Sequence, residues 1–325
     1  MRHGRFSLTI RILITGGFGF VGGRIAHHLW RAGFDIVLGS RREQSSPHWL
    51  PQAKVQNTQW DDVEELAKIS SSVDVVIHAA GMNYQECNSD PVAALAFNGL
   101  ATARLVEAAS RAKVKRFIYL STAHVYANPL LGSITELTCP INLHPYATSH
   151  LSGESAVLGA NQRGQIEGIV LRLSNAFGSP MHKQVNCWML LINDLCKQAV
   201  QTRKLKLKSS GLHMRDFIGL NDISKVVEYF TVSNLKPDQP HIYNVGSGIS
   251  RTILEMAKLI EQRCEVVLGY KTELLFEKKH ENEQNLMLKY QINNLSSIGI
   301  NSNGNLNNSE IDDLLRFCKS NFFEE

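Results

Sequence analysis

None of the six cysteines, at 87, 139, 187, 196, 264 and 318, stands in CxxC spacing with another. That absence leaves no basis for a metal site or a disulfide framework. A reduced, cytoplasmic setting is the expectation. Runs of lysine and arginine are also missing. The formal charge is only +4, so nucleic acid is not an expected partner. The nearest thing to a basic stripe is TRKLKLK at 202–208. Its alternation reads as a half-buried strand with Leu205 and Leu207 inward. No stretch reaches the roughly 20 apolar residues that span a bilayer, and a membrane is not expected either. At the N-terminus, MRHGRFSLTIRILITGG starts basic and then turns apolar. Arg11 interrupts that apolar run and the glycines follow too soon for a signal peptide. Internal repeats and disorder-prone composition are lacking as well.

What remains is 325 residues, 43% of them hydrophobic, enough for a sizeable core and for two associated regions. Short apolar runs alternate with helical patterns through the first half. Ile10–Thr15, Asp35–Gly39, Val73–His78 and Arg116–Ser121 read as strands. Each is a near-continuous apolar run, as expected for strands buried on both faces of a parallel sheet. Phe20–Ala32, closed by Gly33, and Pro91–Ala112 read as helices. This alternation predicts an α/β fold: a Rossmann-type doubly wound parallel sheet with right-handed crossovers. After residue 176 the rhythm changes. Helix patterns at Val185–Thr202, Asp222–Thr231 and Thr252–Gln262 are separated by short strand-like pieces. A polar stretch rich in Asn and Ser runs from about 293 to 309. The expected division is a dinucleotide-binding domain over 1–175, with return segments around 215–250, and a smaller mixed α/β region over 176–325 that is mainly substrate-binding.

Chemistry enters at TGGFGFVG, residues 15–22, which sets Gly16, Gly19 and Gly22 between the first strand and the first helix. Glycines there allow a tight turn and a close approach to a pyrophosphate. Phe20 then opens a helix whose free N–H groups face the phosphates. At the end of the second strand the sequence reads LGSRRE. No carboxylate is available for a ribose 2′-hydroxyl until Glu43, whereas Ser40 and Arg41 suit a 2′-phosphate. NADP(H) is therefore favoured, with NAD(H) the alternative.

In these segments, and in VIHAAG (76–81), NGLATARLVEAA (98–109), LSTAHVYA (120–127), HPYATSH (144–150), LRLSNAFGSP (171–180), MRDFIGLNDI (214–223) and YNVGSG (243–248), the chain resembles the extended short-chain dehydrogenase/reductase family. That family contains nucleotide-sugar epimerases, dehydratases and reductases, and the resemblance covers nearly the whole chain. It implies that Ala79, Ala80 and Asn98 line the cofactor. It makes Thr122 a hydrogen-bond partner of the reacting oxygen and Tyr146 the general acid/base. It places Asn175 and Arg215 on the diphosphate of a nucleotide-sugar. His124, two residues after Thr122, would face the same substrate. The implied activity is 4-keto reduction or epimerisation through hydride transfer at a ring carbon. The helices at 99–112 and 147–162 resemble those that build a homodimer interface in this family.

The departures are equally specific. The family's lysine four residues after the tyrosine is His150 here. The acidic residue of the third strand aligns with Gln59, and the glycine after VY is Ala127. Ala123 and His124 occupy the places of the acidic pair of the dehydratases, and His124 that of the decarboxylase glutamate. A lysine supplies a fixed charge that biases the tyrosine toward phenolate. Histidine is shorter, carries at most two donors and titrates near 6.5. Three readings stay open: a working but slower site, a site in which a water or another cation such as Lys183 replaces the lysine, and a ligand-binding protein without turnover. Ketone reduction tolerates weak activation best, because the neutral phenol is then the needed form. His27, His28 and His78 read as packing residues rather than ligands.

Overall fold

The computed structural model describes residues 9–277, 287–301 and 308–323. The chain starts with β1 (Arg11–Thr15), α1 (Phe20–Arg31), β2 (Asp35–Ser40), β3 (Lys54–Asn57), α2 (Val63–Ser70) and β4 (Val75–His78). Next come α3 (Tyr84–Ser89), α4 (Pro91–Ala94), a π-helical stretch (Leu95–Ala101) and α5 (Thr102–Arg111). Then follow β5 (Arg116–Thr122), β6 (Gly132–Ile134), α6 (Pro145–Gln162), β7 (Glu167–Leu173) and β8 (Asn175–Phe177). The second half adds α7 (Leu191–Thr202), β9 (Lys204–Leu207), β10 (Met214–Gly219), α8 (Leu220–Val232), β11 (Ile242–Val245) and β12 (Ser250–Thr252). It finishes with α9 (Ile253–Leu268), β13 (Glu273–Phe276), β14 (Leu288–Tyr290), α10 (Asn293–Ser297) and α11 (Asn308–Phe322).

Seven parallel strands form the central sheet in the order β3–β2–β1–β4–β5–β7–β11. The order reverses between β1 and β4, the crevice where open α/β sheets bind ligands. Alternate residues of β1 serve opposite layers. Ile12 and Ile14 pack with Ile25 and Leu29 of α1 and Val227 and Phe230 of α8. Leu13 packs with Leu66 of α2, Leu105 of α5 and Val157 of α6. This two-sided burial is the expected one. A separate cluster joins Leu195 of α7, Leu205 of β9, Ile260 of α9 and Leu314 of α11. Leu205 and Leu207 are fully buried while the lysines of β9 face out.

Several boundaries differ from expectation. The helix expected from Val185 starts at Leu191. Trp188 donates its indole N–H to the Lys183 carbonyl, stacks on Phe317 and meets Phe322 edge-on, which holds the preceding residues in turns. Helix α9 runs on to Leu268, where Gly269 at φ +81° ends it. The polar stretch at 293–309 holds α10 and the start of α11, while residues 302–307 lie outside the described part. Contrary to the expectation that no stretch is long and apolar enough to span a bilayer, the helix over 91–111 meets that length, with a mean hydropathy of 1.3. Half of that segment is buried within the fold, and Arg104 and Arg111 on it pair with Asp61 and Glu64 of the neighbouring α2 segment.

Candidate active site

The glycine loop is closed by its own backbone. Gly16 has φ +70°, and a Cβ there would lie 2.6 Å from the backbone of Ala79 and Ala80 at the end of β4. A Cβ on Gly22 would lie 2.4 Å from the Gly16 carbonyl, and Gly19 N–H donates to that same carbonyl. These contacts bring α1 against the ends of β1 and β4. Gly19 caps α1 without a side chain, and the first turn carries no acidic residue. The N–H groups of Phe20, Val21 and Gly22 precede the first helical bond, from Gly23 N to the Gly19 carbonyl, and as at any helix start lie at the positive end of the helix dipole. This arrangement fits the pyrophosphate of a dinucleotide.

At the end of β2, the Ser40 hydroxyl is nearly buried and bound within its own turn, accepting from Arg42 N at 3.1 Å and Gln44 Nε2 at 2.6 Å. Arg41 is exposed, its guanidinium 5.3 Å from the centre of the Phe97 ring, which meets Trp60 edge-on. The helix that holds Asn98 starts at Pro91, capped by Asp90. Asn98 sits inside the π-helical stretch, 1% exposed. Its Oδ1 accepts from Met82 N at 2.8 Å and its Nδ2 donates to Ser149 of α6 at 3.0 Å. Asn98 thus ties the strand-end loop to the helix that carries Tyr146. The π geometry, a local widening often found at functional sites, turns it inward.

Thr122 ends β5, and its hydroxyl accepts from His124 N at 3.1 Å. Tyr146 lies on the first turn of α6. His144 caps that helix, its Nδ1 accepting from Tyr146 N at 3.1 Å, and Tyr84 stacks on His144 at 3.8 Å between ring centres. Burial raises the Tyr146 phenol to about 12, and a hydrogen bond with Thr122 pulls the other way. No lysine or arginine is among the groups that shift it. His150 lies edge-on to Tyr146, with ring centres 4.6 Å apart. It is 7% exposed, and burial pushes its imidazole down to about 4. Its Nδ1 is 2.9 Å from the hydroxyl of Tyr119. The residue type at 150 therefore gives no cation at neutral pH. Lys183 is exposed on the turn before α7. His78 is a satisfied core histidine, bound to Thr15 and Thr102 and pushed down to about 3, mainly by burial.

Pairing of β8 with β10 places Asn175 two residues along the ladder from Arg215. Asn175 is the register partner of Phe217, and its Nδ2 donates to the Asp216 carbonyl at 2.8 Å. Arg215 does not pair with Asp216, whose buried carboxylate receives Ser174 Oγ at 2.6 Å and Ser247 N and Oγ at 2.8 Å. Enclosure lowers the Arg215 guanidinium, although much of the residue is exposed. Arg215 is close enough to His124 to help burial push that imidazole down to about 4. His124 Nδ1 is buried and has no hydrogen-bond partner among the described residues.

Sequence reasoning missed three residues. Arg251 on β12 is the register partner of Arg215, so two like charges stand opposite each other. Its signal, an arginine three residues after YNVGSG, is too weak to read without the strand pairing. Tyr119 looks like one more apolar strand residue, and its hydroxyl reaches α6 only because Gly153 leaves room: a Cβ there would lie 2.6 Å from it. Glu154, two turns after Tyr146, is buried in a paired cluster with Arg172 at 2.6 Å and Ser121 at 2.5 Å.

A sequence model described as the NAD dependent epimerase/dehydratase family matches residues 12–246. Over 277 residues the chain is 26% identical to a putative UDP-glucose 4-epimerase of Methanocaldococcus jannaschii, covering 84% of this chain and 87% of that protein. It is 27% identical over 255 residues to a dTDP-6-deoxy-L-talose 4-dehydrogenase (NAD(P)(+)) of Kitasatospora kifunensis, covering 77% and 78%. In fold it is similar to a UDP-N-acetylglucosamine 4-epimerase of Methanobrevibacter ruminantium, solved with UDP-N-acetylmuramic acid. That likeness has a TM-score of 0.80 at 21% identity and covers 96% of this chain and 99% of that one. With the doubly wound sheet, the glycine loop and the Thr122–Tyr146 pair in place, the chain belongs to the NAD dependent epimerase/dehydratase family, of the extended short-chain dehydrogenase/reductase type.

Proposed function

We propose that this protein is an NADP(H)-using ketoreductase of nucleotide-diphosphate sugars. The observation that carries the direction is the state of Tyr146. Its phenol is raised to about 12, and the residue that replaces the lysine is a neutral histidine. A phenol so placed holds its proton at neutral pH, which suits an acid that protonates a carbonyl oxygen. Starting from the alcohol demands phenolate, whose fraction falls about tenfold per unit of pKa. Epimerisation through a keto intermediate needs both halves and is the less favoured use of the site.

In this reading the cofactor's nicotinamide supplies a hydride to the carbonyl carbon when bound. Tyr146 gives its proton to the oxygen that becomes a hydroxyl, and Thr122 holds that oxygen by a hydrogen bond. Gly16, Gly19, Gly22 and the N–H of Phe20 hold the pyrophosphate, with Ala79 and Ala80 beside it. Arg41 with Ser40 meets a 2′-phosphate. Arg215, Arg251 and Asn175 bind the diphosphate of the sugar nucleotide, and His124 faces the sugar. The named substrates and cofactors of the relatives support a sugar-nucleotide and a nicotinamide dinucleotide. A homodimer in a cytoplasmic setting completes the proposal.

The test is turnover with a 4-keto sugar nucleotide and NADPH. Stoichiometric NADPH consumption is the expected result. Interconversion of the C4 epimers of a sugar nucleotide that carries a 4-hydroxyl, without added cofactor and with a dinucleotide carried through purification, would replace reduction by epimerisation. One observation favours a second reading, a protein that binds a sugar nucleotide without turnover: the absence of a fixed cation among the groups that act on Tyr146. Binding of NADPH and UDP with no product from any keto sugar would establish it.

A further inference from the structure

Replacing the lysine by His150 creates a question that a lysine does not pose. An ammonium group donates in every direction, whereas a neutral imidazole has one donor and one acceptor, and the partner of one nitrogen decides the role of the other. The partner here is Tyr119. Its hydroxyl lies 2.9 Å from His150 Nδ1, and both side chains are buried. The Cε1–Nε2 edge of the ring lies beside Gly81, the residue after Ala79 and Ala80: a Cβ on Gly81 would sit 3.6 Å from Cε1 and 3.8 Å from Nε2. His150 therefore has an anchored nitrogen at its back and a second nitrogen at the sheet end where the dinucleotide site is read.

The surrounding donors orient the pair. The Thr102 hydroxyl donates to the Asn98 carbonyl at 2.7 Å and meets His78 Nε2 at 2.9 Å, so its hydrogen is already engaged. Burial and the nearby Glu154 push the Tyr119 phenol well above its ordinary value, so it keeps its hydrogen. Thr102 also hydrogen-bonds the Tyr119 hydroxyl, but its oxygen already meets His78 Nε2, which leaves His150 Nδ1, at 2.9 Å, as the acceptor for the Tyr119 hydrogen.

We propose that Tyr119 is a positioning residue that fixes the tautomer of His150: its hydroxyl donates to Nδ1, which leaves Nε2–H as a donor beside Gly81. The helix carrying Tyr146 then presents one uncharged donor where the family's lysine would present a charged group. This rests on the reading of the Tyr146 pocket as a cofactor site. With the opposite tautomer, Nε2 would be an acceptor and could not replace a lysine's hydrogen bond to a hydroxyl oxygen.

The test is nuclear magnetic resonance of protein labelled with 15N-histidine, at neutral pH and without cofactor, with His150 assigned through His150→Gln. The expected spectrum shows a neutral ring, protonated at Nε2, with Nδ1 at the shift of a hydrogen-bonded acceptor. Tyr119→Phe should move Nδ1 to the shift of an unbonded acceptor, make the Nδ1–H tautomer visible, and weaken NADPH binding about three- to tenfold. A wild-type ring protonated at Nδ1, an imidazolium at neutral pH, or a Nδ1 shift unchanged by Tyr119→Phe would overturn the proposal. If Tyr119→Phe does not fold, the wild-type spectrum alone decides. Failure of the cofactor reading would appear separately, as absence of NADPH and NADH binding by a protein whose His150 tautomer is still the expected one.

Discussion

At the scale of the residue, the site is set by two neighbouring groups with opposite shifts, a half-buried tyrosine and a buried histidine. Tyr146 is raised to about 12 and His150 is lowered to about 4, so neither titrates between pH 5 and 9. The rate of keto reduction should therefore be flat across that window in a kcat/KM profile, with no inflection near 6.5. Oxidation of the corresponding alcohol should rise about tenfold per pH unit, because it draws on the phenolate. A clear inflection near 6.5 would show a histidine still titrating in the site. Tyr146→Phe removes the proton donor and should lower kcat by about 10²- to 10⁴-fold. NADPH affinity should stay near its original value, since the contacts of the glycine loop are untouched. His150→Lys restores a cation four residues away on the same helix face. It should speed alcohol oxidation more than ketone reduction, and equal effects on both directions would contradict this account of His150.

At the scale of the element, pairing decides what the sequence leaves open. The central strands were legible because each is apolar on both faces, and β1, β2, β4 and β5 start and stop within about two residues of expectation. The glycine loop was legible because its residues are consecutive. Its cause is visible only in three dimensions: Gly16 is needed both for φ +70° and for the backbone of Ala79 and Ala80 at 2.6 Å. Gly16→Ala should displace the end of β4, with loss of measurable NADPH binding and a lower thermal midpoint. Retention of both would mean that the loop has another way to close. The place of Asn98 between the strand-end loop and α6 was not legible, because the π-helical stretch that turns it inward has no pattern of its own. Arg251 was not legible at all. It gains meaning from the β10–β12 register, which sets it opposite Arg215. Like charges opposed on a sheet are unfavourable, and an anion between them reverses the sign. Arg251→Ala should weaken UDP binding about tenfold, in line with the loss of one charge-assisted hydrogen bond. Isothermal calorimetry measures this directly, and unchanged affinity would remove Arg251 from the site.

At the scale of the whole molecule, acid stability follows from the histidines. His78, His124 and His150 are held neutral, with values near 3, 4 and 4. The unfolded chain protonates each near 6.5. Their stabilising contribution is thus complete above 6.5 and is lost as the pH falls through about 4. Asp216 runs the other way. Raised to about 6, mainly by burial, it favours the fold most below the unfolded value and loses that contribution as the pH rises through 6. Three groups outweigh one, so the thermal midpoint should fall steadily from pH 7 to pH 5, and a midpoint that rises over this range would contradict the assignment.

The same scale carries the proposal of a homodimer. In α6 the one charged residue is Glu154, which is buried, so its outer side presents Thr148, Leu151, Ser152, Ser155 and Leu158. A helix facing water normally carries charge on that side. The neighbouring helix exposes Val92 at 80%, Leu95 at 53% and Leu100 at 49%. The two helices approach closely through small residues: a Cβ on Gly99 would lie 2.8 Å from Ser152 Oγ, and one on Gly153 would lie 2.8 Å from the Asn98 carbonyl. Their outer faces therefore join into one weakly charged apolar surface, of the kind that a symmetric partner covers. Because Asn98 and Tyr146 lie on these helices, a partner bearing on their outer faces would also steady the site. Sedimentation velocity should give a dimer at micromolar concentration. The double substitution Leu95→Glu with Leu100→Glu should give a folded monomer with weaker NADPH binding. A wild-type protein that sediments only as monomer would sink the proposal, and a dimer unaffected by the two charges would place its interface elsewhere on the molecule.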